Sequence, residues 1–376
     1  MKICLIAHLN DLSGANKSLL DLADFLRENF EVVVVIPRNG SLNQELQSRG
    51  IRTHIIPSAT WVTRKQETVL KKFIKKVLLI ISEPLFYIYF KKENFDIIHF
   101  NSSIFGSGAK AARKLKIPFT WHIRELAEDN FSLIFLNRKK TYKLINSSVK
   151  VVTISNFMKD HIKKNINSNL IEVIYNGIKP TTYKKIENNK LKSLVIIGAI
   201  APDKGQIDAI RAVKVLKNEM NLDIPLKIVG AIIDQEYYNF LLNEITDDIQ
   251  HLISFTGYEK DVSKYRKLNN IALICSKAEA FGRVTIEGMN QQQIVIGANS
   301  GATPEIIDDN LNGFLYNSGD FYNLAQTIYK VLNLSDDQIT RVLSNASHKV
   351  KTNFNIKNTV KRLENLFLDI SNKVER

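Results

Sequence analysis

Cysteine is scarce in this chain: two in 376 residues, Cys4 and Cys275, each inside an apolar run and without a partner spacing that suits a disulfide or a zinc site. Both read as core residues of a protein kept in a reducing compartment. Acidic residues are also in short supply, 38 Asp and Glu against 52 Lys and Arg, and the formal charge of +14 favours an anionic partner such as nucleic acid, phospholipid or a phosphorylated small molecule. There is no Asp-x-Asp pair and no His/Cys cluster at ligand spacing, so neither a metal nor another cofactor is expected. No Gly-x-Gly-x-x-Gly follows a strand-like run, and "SGANKS" is not the Gly-x-x-x-x-Gly-Lys-Ser/Thr phosphate loop, which argues against a dinucleotide enzyme. The opening "MKICLIAHLND" meets a polar loop too soon for a signal peptide. The expected location is the cytoplasm.

What is present is the composition of a globular protein, 44% hydrophobic and 24% charged, at a length that allows two domains with separate cores. "KICLIAHL" is an apolar run, followed by the loop "NDLSGANKS", a helical pattern through Leu19, Leu20, Leu22, Ala23 and Leu26, and the run "EVVVVIP". Such a unit implies buried parallel strands. Further runs occur at "FDIIHF", "IPFTWHI", "VKVVTIS" and "IEVIYNG"; after a polar stretch at 181–190 that reads as a linker, the pattern restarts with "KSLVIIGAI", "IPLKIVG", "HLISFTGY", "IALICS" and "QIVIGAN". The expected fold class is α/β, with two doubly wound domains and a ligand in the cleft between them at the carboxyl ends of the strands. The expected boundaries are 1–182, 190–352 and a terminal helical segment, 353–376, that returns to the first domain.

Residues 63–92 stand apart. Lys71, Lys72, Lys75 and Lys76 share one helical face, while Leu70, Phe73, Ile74, Val77, Leu78 and Ile81 share the other. Glu83 and Pro84 break the apolar run short of the roughly 20 residues that span a bilayer, so the segment is expected to lie on an anionic membrane surface. The alternative is that its apolar face packs on the protein's own core.

The stretch "EAFGRVTIEGM" sets Glu279 and Glu287 eight positions apart around the start of a helix. A helix N-terminus offers unpaired N–H groups and a positive dipole end to a phosphate, and flanking carboxylates accept hydrogen bonds from sugar hydroxyls. Phosphate plus polyol describes a nucleotide sugar.

With "SGANKSL", "TWHIREL", "VTISNFM", "VIYNG", "GAIAPDKG", "KIVG", "FTGY", "EAFGRVTIEGMNQQQIVIGANSGATPEII" and "NGFLY" in order along the chain, the sequence resembles the GT-B fold glycosyltransferases, in particular retaining family 4, whose two domains are Rossmann-like. The resemblance implies that Glu287 holds the ribose of a nucleoside diphosphate sugar, UDP-sugar being favoured, and that Glu279 holds hydroxyls of the donor sugar. It implies that the backbone from Gly282 through Arg283 and Val284 to Thr285, with Phe281 before it, binds the diphosphate or sugar. Lys204 would bear on the leaving phosphate, His122 would lie near the donor sugar's reactive end, and Gly14 would let the backbone approach the ligand. Alone, Lys204 reads as a solvated turn lysine and His122 as a structural histidine. Related proteins carry an arginine where this chain has Ala199; Arg283 and Arg124 are the available cations, and Arg283 is the expected replacement.

The implied activity is metal-independent transfer of a sugar, with retention of anomeric configuration, to a glycan or glycolipid acceptor at the inner membrane face, as in polysaccharide biosynthesis. Two other readings compete. A nucleotide-sugar epimerase shares the architecture and needs no acceptor. A non-enzymatic binder of anionic polymers would use the +14, but the basic residues interleave with an apolar helical face rather than with base-stacking aromatics, so no nucleic-acid partner is expected.

Overall fold

The computed structural model describes residues 1–64, 67–128, 133–181, 193–268 and 270–374. The polar stretch read as a linker lies, beyond Thr181, outside them. The chain divides into two units, Met1–Gly177 with Ile356–Arg376, and Ile178–Asn355.

The first unit holds strands β1 (Lys2–Ile6), β2 (Glu31–Ile36), β3 (Arg52–Ile55), β4 (Val62–Thr63), β5 (Ile97–Phe100), β6 (Phe119–Ile123), β7 (Ile134–Phe135), β8 (Lys150–Thr153) and β9 (Ile171–Val173). Its helices are α1 (Gly14–Leu26), α2 (Ser41–Ser48), α3 (Val69–Glu93), α4 (Ala109–Lys114), α5 (Arg138–Ile145) and α6 (Asn156–Ile162). Seven strands form one parallel sheet in the order β3-β2-β1-β5-β6-β8-β9, and β4 pairs antiparallel with β7.

The second unit holds β10 (Leu194–Ile197), β11 (Leu226–Val229), β12 (Ile253–Gly257), β13 (Ile271–Ile274), β14 (Ile294–Ala298) and β15 (Phe314–Tyr316). Its helices are α7 (Gln206–Asn218), α8 (Gln235–Glu244), α9 (Ser263–Leu268), α10 (Arg283–Asn290), α11 (Thr303–Ile306), α12 (Phe321–Leu332) and α13 (Asp336–Asn353), and the chain then closes with α14 (Ile356–Val374) in the first unit. Six parallel strands run in the order β12-β11-β10-β13-β14-β15.

Both sheets are doubly wound, and the strand order reverses beside β1 in one and beside β10 in the other. Valine and isoleucine runs form these strands because helices cover both faces, so no polar side needs to alternate. β2 shows it: Val32 to Ile36 are all buried. α14 belongs to the first core, where Val360, Leu363, Phe367 and Ile370 pack with Leu19, Leu22 and Leu26 of α1. The loop expected around Gly14 is shorter than read from sequence, since Ser13 takes an extended backbone at the N-cap and Gly14 begins α1.

Helix α3 runs through Pro84 to Glu93. Glu83 is a strut rather than a break, its two carboxylate oxygens accepting from the amides of Gly108 (3.2 Å) and Ala111 (3.1 Å) at the start of α4. Phe86, Tyr89 and Phe90 anchor the helix to the unit, whereas Val69, Leu70, Phe73, Ile74, Ile80, Ile81 and Ile88 are exposed. Among the described residues, nothing in this unit covers that apolar stripe.

Candidate active site

At the reversal of the second sheet, β10 and β13 end side by side and open a cavity of about 140 Å³ lined by Gly198, Lys204, Ser276, Glu279, Arg283 and Val284. Lys204 reaches it from a short turn after β10 (Pro202–Lys204). Gly205, next in sequence, has φ +62°, and a Cβ there would lie 2.1 Å from the Cys275 carbonyl oxygen, so only glycine lets this loop seat against the end of β13. The Lys204 Nζ then meets Glu279 Oε1 at 2.9 Å.

Burial alone would lower the Lys204 pKa, but Glu279 and Asp203 outweigh it and hold the ammonium above its ordinary value. Burial alone would raise Glu279; the Lys204 charge and hydrogen bonds from Ser276 and Lys204 reverse this and hold the carboxyl below the usual range. Glu279 is therefore an ionised, acceptor-only group. Its backbone is fixed from behind, its carbonyl accepting from Ala302 N–H at 2.9 Å.

Gly282 caps α10 in the left-handed conformation, and Val284 opens onto the cavity one residue beyond Arg283. Of the amides expected to face a phosphate, that of Thr285 is already engaged, donating to the Gly282 carbonyl at 3.0 Å, and it leaves the set. The Phe281 ring is buried edge-on against Phe354 and serves packing, so only its backbone remains for a ligand. Glu287 lies one turn into α10 and does not line the cavity. Its Oε1 accepts from Arg283 Nε and its Oε2 from Arg266 Nη2, both at 2.9 Å.

In the first unit His122 is the penultimate residue of β6 and is wholly buried. Its Nδ1 lies 3.1 Å from Arg124 Nη2 and 3.3 Å from His99 Nε2. Because the guanidinium only donates, Nδ1 is assigned as the acceptor, which puts the proton on Nε2. That Nε2 is buried without a partner among the described residues. Burial, with Arg124 and His99 nearby, pushes the His122 pKa well down, so the ring is neutral. Arg124 is buried too, donating to Asn101 and Asn176. A Cβ on Gly14 would meet no atom within 4 Å, so packing does not require glycine at this helix start.

Two family models tile the chain: one described as Glycosyltransferase Family 4 matches residues 12–182, and one described as Glycosyl transferases group 1 matches 179–349. The chain is a group 1 glycosyltransferase of the GT-B fold. The transferase is 26% identical over 312 residues to an uncharacterized glycosyltransferase of Methanocaldococcus jannaschii, spanning 80% of this chain and 83% of that one. It is 23% identical over 400 residues to the UDP-Gal:alpha-D-GlcNAc-diphosphoundecaprenol alpha-1,3-galactosyltransferase of Escherichia coli, covering 98% and 97%. Among solved structures, Anabaena HepE in complex with UDP-glucose superposes with a TM-score of 0.79 at 20% identity, covering 98% of the transferase and 100% of HepE.

Two residues of the transferase escaped the sequence reading. Ser276 hydrogen-bonds Glu279. Arg266 lies almost fully buried under Glu287 and also donates to Gln293 at 3.2 Å. An arginine inside the short basic helix α9 gives no sequence signal of burial. Only the carboxylate it meets across the fold reveals it.

Proposed function

We propose that the transferase moves a sugar from a nucleoside diphosphate sugar, a UDP-sugar by preference, to a hydroxyl of a lipid-linked acceptor, retaining anomeric configuration. The observation that carries this reading is the convergence of Lys204, Glu279, Arg283 and the start of α10 on one cavity at the reversal of the second sheet. UDP-glucose in HepE and the acceptor named for the Escherichia coli relative support the two substrate classes.

In the proposed reaction, positive character grows at the anomeric carbon while negative charge grows on the departing diphosphate. Lys204, Arg283 and the Val284 amide meet that negative charge with groups already oriented, each worth about 3 kcal/mol or a hundredfold in rate. Arg283 takes the part of the arginine replaced by Ala199, because it lines the same cavity as Gly198. The acceptor oxygen bonds to the anomeric carbon as the sugar–phosphate bond breaks on the same face, and the acceptor's proton passes to the departing phosphate oxygen. Residues Lys204 and Arg283 supply the charge stabilisation without a metal. Glu279 holds sugar hydroxyls, and on the first unit the unpartnered His122 Nε2–H is a donor for a substrate hydroxyl. Glu287 receives the ribose when Arg283 turns from it to the diphosphate, while Arg266 keeps its second oxygen in place.

The test is thermal unfolding of the wild type and of Glu287→Ala with UDP, GDP, ADP and NAD in turn. UDP at about 100 times its dissociation constant stabilises the fold by roughly 2.7 kcal/mol, and the mutant loses that shift. No shift with any nucleotide sinks the reading.

The exposed stripe of α3 supports docking on the inner face of the membrane. From Val69 to Ile88 it is about 29 Å long at 1.5 Å per residue, and no helix among the described residues is long and apolar enough to cross a membrane. The exposed Lys71 and Lys76 flank it. The protein should pellet with phosphatidylglycerol vesicles at low salt, and Phe73→Glu/Ile80→Glu should abolish this. Failure of the wild type to pellet removes the membrane from the account.

A further inference from the structure

Helix α9 buries a charge that the proposed chemistry does not itself require. The Arg266 side chain is 3% exposed, against 30% for Glu287, and Glu287 is the one carboxylate it meets among the described residues. Its Nη2 donates to Glu287 Oε2 at 2.9 Å and its Nη1 to Gln293 Oε1 at 3.2 Å. Gln293 is itself buried, directly before β14, so the guanidinium is locked between α10 and the residue that leads into the next strand. Burial lowers the Arg266 pKa, and Glu287 opposes this.

The pair is lopsided, and its direction matters. An ion pair with a buried member is weak evidence for stability, because desolvation offsets the attraction and an apolar residue would pack α9 as well. What the pair supplies is geometry. Glu287 reaches solvent, and its Oε1 accepts from Arg283, a side chain that also lines the donor cavity. Its Oε2 is held from beneath by a group that is itself fixed on two sides. A carboxylate pinned through one oxygen cannot turn freely about its last bond, so the direction in which Oε1 accepts is set before a ligand arrives. A glutamate as exposed as this one and without such a support would have to be ordered by the ligand, which would weaken binding.

We propose that Arg266 is a positioning residue for ribose recognition: by pinning Glu287 Oε2 it makes the ribose hydroxyls a large part of the affinity for a nucleoside diphosphate. It acts through Glu287 and touches no substrate. The proposal rests on the reading of Glu287 as the acceptor for the ribose. Because loss of Glu287 would leave Arg266 buried and unpaired, the pair is tested from the Arg266 side and with altered ligands.

UDP and 2′,3′-dideoxy-UDP are titrated calorimetrically into the full-length protein. The wild type should bind UDP about tenfold or more tightly than the dideoxy analogue, the worth of a hydrogen bond to a charged group. Arg266→Met fills the buried space without a charge, and the Glu287 it leaves behind still reaches solvent. In this variant UDP should weaken to within threefold of the analogue. The analogue's own affinity should stay within threefold of its wild-type value, which shows that the fold and the diphosphate contacts are intact. Arg266→Lys keeps the buried charge but not the planar fork, so it should lose at least threefold of the preference, and it carries the test if the methionine variant does not fold. A preference well above threefold in Arg266→Met, an unchanged preference in Arg266→Lys, or equal weakening of both ligands in a folded variant overturns the role and leaves the transferase reading intact. Equal binding of the two ligands by the wild type overturns the placing of the ribose at Glu287, and no binding of UDP at all overturns the donor reading itself.

Discussion

In the second unit the carboxyl ends of β10 and β13 carry charges that are paired, Lys204 with Glu279 and Arg283 with Glu287, and that keep part of their surface open. In the first unit the matching ends of β1, β5 and β6 carry His8, Asn101 and His122, buried and uncharged, with the buried Arg124 donating to Asn101. The strand order around the reversal is the same in both. One scaffold thus presents either fixed charge or uncharged hydrogen-bonding groups, and the difference lies in the loops and strand ends, not in the sheet. Charge suits a leaving diphosphate; neutral donors and acceptors suit hydroxyls.

Removing the charge from one side breaks this contrast most directly. Lys204→Ala should lower turnover about a hundredfold, the usual cost of losing one preorganised contact to a developing anion. It also strands the largely buried Glu279, which should destabilise the second unit by about 2 kcal/mol and leave the first untouched. Hydrogen exchange followed unit by unit separates the two effects. A loss of turnover under threefold would show that the pair is structural.

Acid should sharpen the contrast in the opposite direction. His8, His99 and His122 have lowered pKa values, to about 4 and about 3 for the first two, from burial and, for each, the nearby Arg124. Held neutral when folded, they bind fewer protons than the unfolded chain between pH 6.5 and about 4. Their stabilisation is full above pH 6.5 and falls as pH drops through that window, by about 1.4 kcal/mol per histidine for each unit of lowering. Glu279, with a lowered pKa, loses its share only below the ordinary carboxyl range. The first unit should therefore unfold at the milder acidity, seen in tryptophan fluorescence. Equal loss of exchange protection in both units over pH 6.5–4 would contradict this.

How far the two halves were legible follows from burial. Runs such as "EVVVVI" and "IALI" betrayed their strands because strands covered on both faces are apolar throughout. β3, "RTHI", sits at the sheet edge, half-exposed, and its polar composition hid it. β15, "FLY", is only three residues long. Glu83 and Pro84 read only as the end of an apolar run, because local rules know nothing of α4, whose amides Glu83 caps. In the site, Lys204, Glu279 and Arg283 came from motif order and do share a cavity, whereas Arg266 depends on Glu287 and Gln293, 21 and 27 positions along the chain, which no local pattern encodes, and Ser276 on the turn that brings it back to Glu279.

The last comparison sets glycine against glycine, and its second member carries the smallest effect. In Gly205→Ala the new Cβ meets the Cys275 carbonyl at 2.1 Å in a left-handed backbone, so the second unit should lose about 3 kcal/mol and Lys204 should leave Glu279. Gly14→Ala meets empty space at a helix start, where alanine is the better helix former, and stability should stay within about 0.5 kcal/mol or rise slightly. A glycine that the fold does not need is informative only through the ligand: if a donor or acceptor group approaches the start of α1, the added methyl should raise KM severalfold at unchanged melting temperature. If KM and kcat both stay put, Gly14 serves neither packing nor binding, and the open carboxyl end of the first sheet makes its ligand contacts elsewhere.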